Sequence, residues 1–199
     1  LDASTTFEYK AEATPAEGYR AAEITIKGLK GGHSGIEIIL QRANANKLMF
    51  RLINAVKKQQ EILLCSVDGG GLRNAIPREA KATVMVEVAK WDEFQKAVAD
   101  FVEMVVAEFS GIEDSIQIKA EEVAAPAEMI EKAVAEKLVK AVVACPDGMQ
   151  SMSQSMKGLV QTSTNLARIV SDGSTVKLHC LLRSSVNSEK ADLGDAISS

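Results

Sequence analysis

The chain has 199 residues, 46% of them hydrophobic and 25% charged, a composition that supports a buried core and excludes wholesale disorder. Its 23 basic and 27 acidic side chains leave a formal charge of −4, so it lacks the basic footprint of a nucleic-acid binder. No run of roughly 18 uninterrupted apolar residues occurs, which excludes a membrane-spanning helix.

The chain opens Leu1-Asp2-Ala3-Ser4-Thr5-Thr6, with neither the basic start nor the apolar block of a signal peptide. It has no initiator Met, as expected of a piece cut from a longer protein. Glu8 to Thr14 reads as a short strand. Tyr19 to Lys27 reads as a clearer one, since Ala22, Ile24 and Ile26 alternate with Glu23, Thr25 and Lys27. A glycine-rich turn spans 28–35. Ala45, Leu48, Met49, Leu52, Ile53 and Val56 then form a helical stripe. Ile62 to Val67 is a strand, Asp68-Gly69-Gly70-Gly71 a turn or flexible loop, and Ala80 to Val88 a strand with Ala82, Val84, Val86 and Val88 on one face.

A second helix is expected near Asp92, where Asp92 and Gln95 fit a capping box. Its stripe is Phe94, Val98, Phe101, Val102, Val105 and Phe109, and Gly111 stops it. Ile116 to Val123 reads as a strand. Pro126 and Ala127 open a third helix through Ile130, Val134, Leu138 and Val142, ended by Pro146 and Gly148. Met149 to Gly158 reads as a loop. Leu159 to Val170 and Thr175 to Arg183 form a hairpin across Ser171-Asp172-Gly173-Ser174. The order strand, helix, strand, strand, helix, strand predicts an α+β ferredoxin-like sandwich (βαββαβ) with a C-terminal extension. No linker or repeat divides the chain, so 1–199 reads as one domain. Ferredoxin-like folds host many functions, so the site must decide.

The chemistry narrows by elimination. Cys65, Cys145 and Cys180 are far apart and odd in number, which fits buried thiols in a reducing cytosol better than disulfides or a Cys-x-x-Cys metal site. The two histidines, His33 and His179, have no ligand partner nearby in sequence, so no zinc site is expected in this chain. Glu121-Glu122 reads as solvated charge on a strand. Ser34 beside His33 forms no nucleophile elbow, and the 31–35 turn lacks the spacing and Lys-Ser/Thr ending of a phosphate loop. His33 remains. Held on a glycine-rich turn, an imidazole can donate to an oxyanion or a carbonyl, or it can simply decorate a β-to-α connection. Asn74, in Arg73-Asn74-Ala75-Ile76-Pro77, and Arg183, at a strand end, offer an amide and a planar fork suited to a carboxylate. Each could equally be an ordinary surface residue.

Taken together these places resemble one family. Gly28-Leu29-Lys30-Gly31-Gly32-His33-Ser34-Gly35, with Ile36-Glu37-Ile38 and Arg42-Ala43-Asn44-Ala45-Asn46-Lys47-Leu48, looks like the lid-domain signature of the Xaa-His dipeptidases (aminoacyl-histidine dipeptidases, peptidase D) of the M20 metallopeptidases. Gly71-Leu72-Arg73-Asn74-Ala75-Ile76-Pro77-Arg78-Glu79-Ala80 resembles a second family segment. Gly158 to Ala167 and Leu181-Leu182-Arg183-Ser184-Ser185-Val186 resemble a third and fourth.

The resemblance implies a two-domain parent whose catalytic domain binds two zinc ions, or another divalent metal, through a His-x-Asp, a further Asp and a Glu-Glu pair, none of them seen here. On that reading 1–199 is an excised lid and dimerisation domain with the catalytic domain absent. It would have no cofactor of its own, and its partners would be its own catalytic domain, a second copy in a homodimer, and a dipeptide substrate, in the cytoplasm. His33 would stabilise the oxyanion. Asn74 and Arg183 would hold the substrate's carboxylate or backbone, with Thr164 and Asn165 as further candidates. Gln161 stands where an acidic residue is expected. A second reading is a stand-alone ferredoxin-like interaction or ligand-binding module.

Overall fold

In a computed structural model the described residues are 1–198. The chain runs β1 (Asp2–Glu8), β2 (Glu12–Ala13), β3 (Tyr19–Lys27), β4 (Gly32–His33), α1 (Ala45–Lys57), β5 (Ile62–Gly70), β6 (Ala75–Ile76), β7 (Ala80–Glu87), α2 (Trp91–Glu108), β8 (Gln117–Val123), β9 (Glu128–Met129), α3 (Lys132–Ala144), β10 (Gly148–Met152), β11 (Val160–Ser171), β12 (Thr175–Ser184) and α4 (Asn187–Ser198). Eight strands form one sheet in the order β1-β12-β11-β5-β7-β3-β8, with β10 added beside β11. Every pairing in it is antiparallel.

The predicted split βαβ core is present. Strands β8, β3, β7 and β5 lie side by side, so the two strands of each βαβ unit are separated by a third, as the ferredoxin-like connection requires. The C-terminal hairpin extends that sheet past β5, and β1 closes the far edge against β12.

Alternation decides which side of the sheet is covered. Ala22, Ile24 and Ile26 of β3 are 0% exposed, as are Val84 and Val86 of β7. They meet the α1 stripe of Ala45, Leu48, Met49, Leu52, Ile53 and Val56, all 0–1% exposed. Phe94, Val98, Phe101 and Val105 of α2 and Leu138 and Val142 of α3 complete this layer. Each fully buried aliphatic or aromatic side chain there contributes about 1.5–3 kcal/mol. The other face carries a smaller cluster of Ala21, Leu63, Cys65 and Met85.

Several expectations are corrected. The strand expected at Glu8 to Thr14 splits: β1 starts at Asp2 to pair with β12, and only Glu12–Ala13 pairs again, with β9. The capping box at Asp92 does not form: α2 begins at Trp91 without a side-chain cap, and the Gln95 amide donates to the Ala120 carbonyl at 3.2 Å. The third helix starts at Lys132 rather than Pro126. Glu128–Met129 is drawn into β9, and the Ile130 amide donates to the Leu64 carbonyl at 2.9 Å. Ile130 is buried because of that contact, not because it is helical. Part of the loop expected at 149–158 is β10. Helix α4 carries no strong apolar stripe, so no local pattern announces it. Val88, expected on the inner face of its strand, lies beyond the end of β7 and is 45% exposed.

The largest correction concerns Asp68-Gly69-Gly70. It is strand, not flexible loop: Asp68, Gly69 and Gly70 pair with Val170, Ile169 and Arg168. Glycine is needed because the two strands cross closely. Gly70 has φ 73°, and a Cβ there would run into the Ala167 carbonyl. Gly71, one residue on, faces open space. Gly70→Ala is therefore expected to cost roughly 1–3 kcal/mol and Gly71→Ala less than about 0.5 kcal/mol. Denaturant unfolding of the two variants checks this, and equal stabilities would contradict the close crossing.

Candidate functional site

The chain leaves β3 at Lys27 and enters α1 at Ala45, and the intervening loop is closed at its neck by one carboxylate. Glu113, buried in the turn after α2, accepts the Lys30 amide at 2.8 Å and the Ala43 amide at 3.1 Å. Next to it Asp114 pairs with the Lys30 ammonium at 2.7 Å. Within the loop Arg42 donates to the Gly31 carbonyl at 2.5 Å and to Glu37 at 3.0 Å. Glu37 also accepts the His33 amide at 2.7 Å. That amide, and then the Arg42 charge, hold the Glu37 carboxyl below the usual range. A Cβ on Gly32, whose φ is 139°, would sit 2.7 Å from both charged groups. Only a glycine lets this ion pair close over the turn.

His33 forms β4 and meets β6 from the next loop along. Gly32 faces Ile76 and His33 faces Ala75, and the Ser34 amide donates to the Asn74 carbonyl at 2.8 Å. The imidazole folds over its own turn. Its Nδ1 accepts the Gly35 amide at 3.1 Å and the Ile36 amide at 3.2 Å. A ring nitrogen that accepts amides carries no proton, so the neutral ring holds its proton on Nε2. That N–H has no partner among the described residues.

Arg183, at the end of β12, lies beside it. The Arg183 Nε and the His33 Cε1 are each 3.1 Å from the point a Cβ on Gly35 would occupy. The guanidinium is exposed and has no ion pair or hydrogen bond among the described residues. His33 and Asn74 line an open cleft of about 660 Å3 together with Leu72, Pro77, Arg78 and Glu79. The Asn74 side chain is exposed and likewise has no hydrogen bond among the described residues.

Thr164 and Asn165 sit beneath this surface, each 1% exposed. The Asn165 amide donates to the Arg73 carbonyl at 3.2 Å and the Ala75 carbonyl at 2.9 Å, so it holds the loop that carries Asn74. Behind it Asn44 caps α1, accepting the Asn46 and Lys47 amides at 2.9 and 3.3 Å. The Asn44 amide donates to Asp147 at 3.0 Å and to the Leu166 carbonyl at 3.2 Å. The carboxyl of Asp147 turns inward and also accepts the Leu166 amide at 2.8 Å. Burial pushes it up to about 6. Sequence reasoning assigned no role to Glu37, Glu113, Asn44 or Asp147. An Asn before an apolar stripe is a readable cap signal. Nothing local marks Glu113, which acts 70 residues away from Ala43.

Among the described residues no group of three or more His, Cys, Asp or Glu side chains could hold a metal ion. His179 stands apart on β12, its Nδ1 in a 2.8 Å hydrogen bond with Ser4. No described helix is long and apolar enough to cross a membrane.

Two measurements test this geometry. Long-range 15N NMR of neutral His33 should show the proton on Nε2, and a proton on Nδ1 would contradict the two amide bonds. For Asp147, the folded carboxyl titrates above its ordinary 3.8. Between about pH 4 and pH 6 the folded protein therefore binds more protons than the unfolded chain, and stability falls as pH rises. Asp147→Asn keeps the acceptor and removes that slope. Relative to the parent, it should gain up to about 3 kcal/mol across the window. A difference between the two proteins that does not change with pH would rule this out.

Comparison with known proteins adds three findings. Residues 24–112 match the family model described as M20_dimer, a peptidase dimerisation domain. The chain is 34% identical over 190 residues to the cytosol non-specific dipeptidase of Escherichia coli strain K12, covering 96% of this chain and 39% of that protein. It also superimposes on the crystal structure of aminoacylhistidine dipeptidase from Vibrio alginolyticus with a TM-score of 0.95 and 36% identity, covering 98% of this chain and 40% of that one. The chain thus spans about two fifths of the length of either relative.

Proposed function

The chain carries a peptidase dimerisation domain of the M20 type, built as in an aminoacylhistidine dipeptidase, and on that premise we propose that it is the lid and dimerisation domain of a longer Xaa-His dipeptidase. The observation that carries this reading is the free Nε2–H of His33, which lines the cleft with Asn74, beside the unpaired guanidinium of Arg183. A donor and a cation side by side suit a small anionic substrate whose carbonyl becomes an oxyanion during hydrolysis. The two relatives named as dipeptidases support that substrate class.

In this reading His33 donates through Nε2 to the oxyanion of the tetrahedral intermediate. Its tautomer is fixed beforehand by the Gly35 and Ile36 amides, so no reorientation is needed as charge develops. Arg183 and Asn74 hold the dipeptide's terminal carboxylate. Asn165 acts one layer below, keeping the Asn74 loop in place, and Thr164 lies with it on β11. Closure of the lid excludes water from the bond being cut. The divalent metal, and the residues that bind it, belong to the part of the parent outside this chain. The name of the matched domain supports a homodimer, and the name of the cytosol dipeptidase supports a cytoplasmic setting.

The test is kinetic. In the uninterrupted parent, His33→Ala should lower kcat roughly 10²–10³-fold, the loss expected for one oxyanion donor. Arg183→Ala should act mainly on KM. Unchanged kcat in the His33 variant would remove it from the mechanism. The chain alone, given zinc and an Xaa-His dipeptide, should show no turnover above blank, and measurable turnover would overturn the lid reading.

A further inference from the structure

Two of the three cysteines meet at the seam between a helix end and the sheet. Cys145 caps the C-terminus of α3, Cys180 lies in the middle of β12, and their sulfurs are 3.8 Å apart. Cys180 is 3% exposed and Cys145 half-buried. Both border a small cavity of about 40 Å3 between α3, α4, β1 and β12, large enough for a molecule the size of water or a peroxide. The Lys47 ammonium is fixed at the same place, donating to the Cys145 carbonyl at 2.6 Å and the Val142 carbonyl at 2.7 Å.

We infer that Cys145 and Cys180 form a redox modification site, in which a hydroperoxide joins the two thiols in a reversible disulfide between the end of α3 and β12.

The surroundings give the two sulfurs different roles. Either sulfur can donate across the 3.8 Å contact; with Cys180 as donor, that hydrogen bond and the Lys47 charge outweigh burial and favour the thiolate at Cys145. Donating that hydrogen bond, with burial added, holds Cys180 as the thiol. A thiolate is the nucleophile in such chemistry, and a half-buried one beside a cation is the reactive one. The Cys145 thiolate attacks one oxygen of the hydroperoxide, forming an S–O bond as the O–O bond breaks. The other oxygen leaves as hydroxide or alkoxide and takes a proton, leaving a sulfenic acid at Cys145. The Cys180 sulfur then attacks that sulfur, the S–O bond breaks, and water leaves with the Cys180 proton. The two sulfurs have together given two electrons to the peroxide, and a dithiol reductant reverses the change. Cys65 takes no part. It lies in the separate cluster with Ala21, Leu63 and Met85, and burial pushes its thiol up to about 12.

The bond would tie the α3 end, on which Lys47 is docked and from which Asp147 follows, directly to the sheet. It would close a loop from 145 to 180 and so constrain the unfolded chain. The inference uses none of the residues assigned to dipeptide hydrolysis and stands whether or not that assignment holds.

The experiment treats the native chain with hydrogen peroxide, then denatures it, alkylates free thiols and maps the peptides. The expected result is a monomer that has lost the mass of two hydrogens, one alkylated site at Cys65, a linked Cys145–Cys180 peptide pair, and full reversal by dithiothreitol. The oxidised chain should also unfold at a higher temperature than the reduced one. In Cys180→Ser the reaction should stop at a sulfenic acid on Cys145 that dimedone traps, while Cys145→Ser should give no dimedone adduct at Cys180. Three alkylated thiols after peroxide, a link involving Cys65, a linked dimer, or equal dimedone labelling in the two variants would each overturn the inference. The peptide map of the unmutated chain decides the matter even where a variant does not fold.

Discussion

Two loops that leave the sheet at different strands are zipped together by a ladder of two residue pairs, Gly32 with Ile76 and His33 with Ala75. Each loop is anchored separately. The first is gathered at its neck by the buried carboxylate of Glu113, which accepts an amide from either side. The second is held from below by the Asn165 amide, which takes up two of its carbonyls. Because the backbone fixes His33, its ring is free to be oriented by amides of its own turn rather than by packing. A site made this way depends on hydrogen bonds whose partners are far apart in sequence. Leaving any one of those buried donors or acceptors unpaired costs about 1–3 kcal/mol.

The same logic explains how much polar chemistry the interior tolerates. Asn44, Asn165 and Asp147 lie at the point where the first turn of α1 reaches β11. Asn44 completes the start of the helix and at the same time joins it to the strand. Asp147 is the one member whose charge is disfavoured there, and it is retained although burial works against its ionised form. The network runs from the start of α1 through Asn44 and Asn165 to the carbonyls that flank Asn74.

Much of the scaffold was legible because burial leaves a periodic trace. The alternation of Ala22, Ile24 and Ile26 and the helical stripe from Ala45 to Val56 are local patterns, and each is buried as its pattern implies. The hairpin of β11 and β12 follows from two strand-like runs around a turn. Errors came where a partner outside the segment outweighed local preference. Asp68-Gly69-Gly70 has the composition of a loop, yet the approach of β11 makes it strand. Glu128 and Met129 follow a helix-opening Pro126 but are captured by β2. Gln95 has the right spacing for a capping box and instead bonds to β8. For the candidate site, His33, Asn74 and Arg183 were visible as polar residue types at turns and strand ends. That Thr164 and Asn165 lie below the cleft surface was not, because β11 is covered on both sides.

Periodicity and glycine placement by themselves determined an α+β sheet with helices on one face, and they marked His33 as a histidine on a glycine-rich turn. The tertiary structure alone decided which nitrogen of that histidine carries the proton, which guanidinium stands beside it, and which two thiols meet. The first rests on amides two and three residues on, which only the folded turn aims at the ring; the others join residues far apart in sequence, up to Gly35 and Arg183, and no local pattern encodes a contact of that separation. Chain topology brings the groups together, and the cost of leaving a buried polar atom unpaired fixes how they are oriented.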